Sequence, residues 1–141
     1  MTDSSAIVLD THVWVWLMNG SPELADSAAL AFINQACRSS SLYVSAISVW
    51  EVAMLEAKNR IVLRQECSEW VAKALGAPGM NLAPLTPAIA VASSRLPGDF
   101  HGDPADRIIV ATTRALQATL ITRDREILDY AAGNHVQAIP A

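Results

Sequence analysis

The chain alternates, without an internal sequence repeat, between short apolar runs too brief for a helix and stretches with helical signals. "AIVL" at 6–9 precedes "THVWVWLMNG", and "LYVS" at 42–45 precedes "VWEVAMLEAKNR". "MNLAPL" precedes "TPAIAVASSRL", "TLIT" at 119–122 precedes "REIL", and "VQAI" at 136–139 is a fifth strand candidate. Strands that alternate with helices pair in parallel, because a parallel pair needs a crossover connection, and the crossing helices then cover the sheet. The expected fold class is α/β, with a central, mainly parallel sheet of four to five strands and one domain over residues 1–141. A chain of this length can hide about two thirds of its unfolded surface, so a sizeable core is available.

Caps and breakers set the expected boundaries. Asn19 and Gly20 close the first helix. Ser21, Pro22 and Glu23 open a second, which should run unbroken through "LADSAALAFINQACR". The helix that starts at Ser45 or Ser48 has an apolar stripe at positions 49, 50, 53, 54 and 57. A helix around "SEWVAKAL" stops at "GAPG", Pro97 and Gly98 end the next, and the helix opened by "DPADR" runs to about Gln117. Trp14 with Leu17, and Trp50 with Met54, have ordinary core spacing, which assigns these indoles to packing rather than to stacking on bases.

Composition removes several classes. Hydrophobic residues make up 52% and charged residues 17%, which excludes disorder. The opening "MTDSSAIVLD" has neither a basic start nor a sustained apolar run, and no later segment reaches the length of a membrane helix, so a cytoplasmic protein without membrane contact is expected. Cys37 and Cys67 lack ligand spacing and read as two small buried thiols in a reducing compartment. The formal charge of −4, from 14 acids against 10 bases, disfavours a broad electrostatic grip on nucleic acid. If four acids belong to one metal site, the remaining acids and bases balance.

Four acids fall where such a site would form. In an open α/β sheet the ligand crevice lies beyond the carboxyl ends of the strands. Asp10 ends the first strand, Glu51 lies early in the helix after the second, Asp106 sits in the opening turn of its helix, and Asp124 follows "TLIT" by two residues. Each also has a plain reading. Asp10 and Asp124 make good helix caps, Glu51 an ordinary helical glutamate, and Asp106 suits a helix dipole behind a cap at Asp103. Their convergence on one rim tips the balance, because gathered carboxylates raise one another's pKa unless a cation neutralises them. Oxygen ligands favour a hard ion, Mg²⁺ or Mn²⁺. Thr11 and Thr122 are supporting hydroxyls that orient a carboxylate or a water. Arg107 and Arg123 stand near the acids as candidate phosphate contacts, whereas Lys58, Arg60 and Arg64 read as solvated surface. His12 and His101 flank the acids as candidate hydrogen-bonding groups or substrate contacts.

"LDTHVW", "SAISVWEVAML" and "LPGDFHGDPADRIIVATTRALQATLITRDREIL", in this order, resemble the PIN-domain family, and in particular the VapC-like ribonuclease toxins of type II toxin–antitoxin pairs. The likeness runs from Asp10 to about Leu128 and includes the eighteen residues that separate Asp106 from Asp124. It implies a three-layer α/β/α sandwich and a metal-dependent endoribonuclease that leaves 5′-phosphate and 3′-hydroxyl ends. Asp10, Glu51, Asp106 and Asp124 match the acidic quartet. Asp10 and Asp106 are then the direct metal ligands, with Glu51 and Asp124 binding through water, positioning the nucleophile or completing a second metal site, and Asp103 left as the helix cap. The same resemblance implies an RNA substrate, a cognate antitoxin that covers the acidic rim, and a homodimer. The alternative is a non-catalytic PIN-like module that binds a protein partner, which the complete quartet disfavours.

Overall fold

A computed structural model describes residues 6–141. Residues 1–5, which carry most of the opening segment discussed above, lie outside the described residues. Thirteen elements follow in chain order. They are β1 (Ile7–Leu9), α1 (Thr11–Asn19), α2 (Pro22–Ala25), α3 (Ala29–Arg38), β2 (Leu42–Ser45), α4 (Ala46–Ala57) and α5 (Cys67–Leu75). After them come β3 (Met80–Ala83), α6 (Pro87–Ser93), α7 (Pro104–Leu116), β4 (Thr119–Thr122), α8 (Arg125–Ala132) and β5 (Gln137–Pro140).

All five strands pair in parallel, in the order β3-β2-β1-β4-β5. β1 is central and buried on both faces, as crossover helices require. Its pleat divides the interior. Ile7 and Leu9 point into a layer with Val13 and Trp14 of α1, Ile33 of α3 and Trp70 of α5. Val8 points the other way, toward Ile109 and Val110 of α7 and Ile127 of α8. The chain thus forms the expected α/β/α layers around a parallel sheet.

Local chemistry explains most boundaries. Gly20 takes a left-handed conformation, φ 62°, and its N–H bonds back to Leu17 and Trp16 to end α1. Ser45 caps α4 through its side chain, which accepts from Ile47 N at 3.2 Å. Thr86 caps α6 through Ile89 N, and Gln117, left-handed at φ 53°, closes α7.

Three expectations need correction. The helix from Ser21 to Arg38 is broken: α2 ends at Ala25 and α3 begins at Ala29, because the Ser27 hydroxyl accepts from Ala29 N at 3.1 Å and offers the backbone a cap in mid-segment. The apolar stripe on α4 does not face inward as a unit. Ser48 and Val52 are buried, whereas Trp50 is 55% exposed. The two cysteines are free but only half-buried. Trp14, by contrast, is fully buried and meets Trp70 edge-on, with ring centroids 5.0 Å apart. An aromatic contact of this kind adds about 0.5–1.5 kcal/mol beyond area burial.

Candidate active site

The strand order places the site. Successive connections move outward from β1 to β2 and β3, then return across β1 to β4, so the chain reverses direction beside the carboxyl ends of β1 and β4. A crevice opens at such a switch point because neighbouring crossovers leave on opposite sides. Asp10 leaves β1 there and Asp124 leaves β4, while Glu51 reaches the same rim from α4 and Asp103 and Asp106 reach it from the start of α7. These five carboxylates line one cavity of about 420 Å³, a size typical of small-ligand sites.

Threonine hydroxyls hold the acids in place. Asp10 is the N-cap of α1: its Oδ1 accepts from Thr11 N at 2.9 Å and its Oδ2 from Thr122 Oγ1 at 2.6 Å. Thr122 is fully buried and also accepts from Asp124 N at 3.0 Å, so one hydroxyl ties the exits of β1 and β4 together. Glu51 accepts a hydrogen bond from Thr11 Oγ1, which itself lies 2.8 Å from the buried Ser48 Oγ. Both threonines named from the sequence therefore orient a quartet acid. Ser48 was not anticipated, although its place one turn before Glu51 on α4 could have suggested it. Thr122→Val removes the bond to Asp10 and leaves the Asp124 N–H unsatisfied. It should lower stability by about 1–3 kcal/mol, measured by urea denaturation.

Capping and site membership coincide rather than compete. Asp103 caps α7 by accepting from Asp106 N at 2.8 Å, and it also lines the acid cavity. Asp124 caps α8 through Glu126 N at 2.8 Å and Ile127 N at 3.3 Å. Both residues cap a helix and line the cavity at once.

The electrostatics record the crowding. Burial pushes the Asp106 carboxyl up to about 8, and Asp103, Asp10, Asp124 and Glu51 push in the same direction. Burial also raises Asp10, against the bonds from Thr122 and Thr11, with Asp124 adding to the rise. Glu51 is raised by burial, partly offset by Thr11, and then by Asp10 and Asp103. Among the described residues, no three His, Cys, Asp or Glu side chains are grouped closely enough to hold a metal ion as they stand. The acids make an open rim instead. That arrangement suits an ion such as Mg²⁺, which takes one or two carboxylates and keeps several waters.

The cations and histidines divide. Arg123 lines the acid cavity, as does His12. Arg107 does not: its Nε donates to Ser93 O at 2.8 Å and its Nη1 to Phe100 O at 2.6 Å, which clasps the loop before α7. The expectation that it contacts phosphate is replaced by a structural role, because two backbone carbonyls already hold its guanidinium. Arg107→Ala should cost about 2 kcal/mol in thermal or urea denaturation, the usual worth of bonds from a charged donor. His101 lies in a separate cavity beside Asp99 and Tyr130.

Known proteins agree with this architecture. Residues 7–133 match the PIN domain family model. The chain is 34% identical over 123 residues to Ribonuclease VapC22 of Mycobacterium tuberculosis, covering 87% of this chain and 90% of that protein. Among solved structures, a chain of VapBC2 from Rickettsia felis bound to a promoter DNA fragment superimposes with a TM-score of 0.63 at 14% identity, covering 96% of this chain and 98% of the other. A toxin–antitoxin complex from Klebsiella pneumoniae gives 0.60 at 21% identity, with 95% and 96% covered. These distant structures share the fold, and the match along the sequence carries the assignment: the chain belongs to the PIN-domain family.

Proposed function

We propose that this protein, acting as a single PIN domain, is a metal-dependent endoribonuclease and the toxin of a toxin–antitoxin pair. The observation that carries the reading is the meeting of five carboxylates from remote segments in one cavity whose lining includes a single permanently cationic side chain, Arg123. The similarity to Ribonuclease VapC22, and the likeness in fold to chains of toxin–antitoxin complexes, supply the substrate class and the partner. The free thiols of Cys37 and Cys67 suit the reducing cytoplasm. An antitoxin protein that covers the acidic rim and a second copy of the chain complete the proposed assembly.

The residues fit a hard dication: the donors are all oxygens, and they repel one another without it. Asp10 and Asp106 would hold the ion directly, with Glu51 and Asp124 acting through water. Such an ion supplies charge neutralisation at the phosphate and lowers the pKa of the attacking water. The chain's own groups do the positioning. Thr122 fixes Asp10 relative to Asp124, and Thr11 fixes Glu51, which would accept the proton of the attacking water. Cleavage of single-stranded RNA in Mg²⁺ or Mn²⁺, compared between the wild type and Asp106→Asn, tests the reading. Equal activity in the two proteins would overturn it.

A further inference from the structure

Beside its acids, the cavity is lined by side chains of different chemistry. His12 and Trp16 stand one turn apart on α1, with ring centroids 6.2 Å apart and planes tilted by 51°. The Arg123 guanidinium lies over the Trp16 ring, 4.6 Å from its centroid. Arg123 is held there from below: Nη2 donates to Glu23 O at 2.6 Å and Nε to Ala141 O at 3.2 Å. All three side chains line the acid cavity. His12 and Arg123 are exposed and Trp16 is half-buried.

Core packing accounts for only part of this group: Trp16 lies half-buried against the inner cluster, while His12 and Arg123 are exposed. Trp14, two residues earlier, already fills the interior against Trp70. A long cationic side chain would ordinarily sample many rotamers in water, yet here two backbone oxygens and an indole hold one of them. The outcome is a preorganised ledge of rings and a guanidinium plane beside an anionic cavity. Unpaired bases stack on aromatic rings and on guanidinium planes, and this is largely independent of base identity. The charge distribution also fits: the acids repel free anions, while a neutral base on the ledge would keep its own phosphate near Arg123 and the cation.

We propose that His12, Trp16 and Arg123 form a stacking platform for one unpaired nucleobase next to the scissile phosphate. The substrate is accordingly single-stranded or looped RNA, since a base within a duplex is not free to leave its stack. The proposal rests on the nuclease reading for the identity of the phosphate, but it can be tested without turnover.

The Asp106→Asn protein, which should not cleave, is titrated in Mg²⁺ with a fluorescent single-stranded RNA of mixed sequence and with the matched oligomer carrying abasic sugars. The RNA should bind about 10-fold more tightly than the abasic oligomer, the usual worth of one stacked base. Trp16→Leu in the same background should erase that preference and leave the abasic affinity unchanged. His12→Ala, at an exposed position, should reduce the preference in the same direction. Equal losses for both oligomers, or no loss for either, would overturn the platform. Failure of the protein with Asp106 intact to cleave any RNA would instead overturn the nuclease reading, and the binding comparison would still decide the platform.

Discussion

Asp106→Asn is expected to lower RNA cleavage by on the order of 10³-fold while raising the stability of the metal-free protein. The two effects have one cause. The carboxyl of Asp106 is pushed up to about 8 by burial and by four neighbouring acids, so at neutral pH the fold bears the cost of keeping a group there that water would ionise. An asparagine has nearly the same shape and no charge, and it removes that cost. A gain of order 1 kcal/mol, or about 4 °C in melting temperature, is the expected size for a partly exposed group in a chain of this length. The same substitution removes a proposed ligand of the cation. An Asp106 that served only the helix start would give the opposite pair of results, with cleavage retained and stability reduced. Calorimetry and a cleavage assay on the same two preparations distinguish the cases.

The second large effect is a coupling between pH and divalent cation. Asp106, Asp10 and Glu51 all have raised carboxyls in the folded chain. A raised acid holds its proton in the folded state after the unfolded chain has lost it, so stability falls as pH rises from the ordinary carboxylate range through the folded value. For Asp106 that window runs from the ordinary aspartate value of 3.8 to about 8. The metal-free protein should therefore melt at progressively lower temperature between these limits and level off above them. Mg²⁺ or Mn²⁺ should reverse the trend, because the ion replaces the protons. At about 100 times its dissociation constant a ligand adds about 2.7 kcal/mol, or about 10 °C here. The gain should be larger at pH 8 than at pH 5, with proton release on binding and full reversal by a chelator. A melting temperature indifferent to both pH and cation would remove the shared site from the account.

How much of this was legible in the chain follows from how far each signal reaches. The strands at "AIVL", "LYVS" and "TLIT", the closure of α1 at Gly20 and the start of α7 at Asp103 and Pro104 were readable because each depends on residues within one helical turn or one short strand. The parallel sheet followed from the alternation alone, and with it the common rim for Asp10, Glu51, Asp106 and Asp124, since strand ends and helix starts share one edge of such a sheet. Three matters were decided only by the tertiary structure. Trp50, Trp16 and Trp14 all lie on helices, yet Trp50 is exposed, Trp16 is half-buried and Trp14 is fully buried against Trp70, because the width of a buried face is set by what packs against it. Arg107 and Arg123 look alike beside the acids, and only the fold brings Ser93 and Phe100 to one and Trp16 to the other. The pairing of Thr122 with Asp10 joins residues 112 positions apart. No local rule specifies such a bond; it exists because β1 and β4 are neighbours in the sheet and end at the same level.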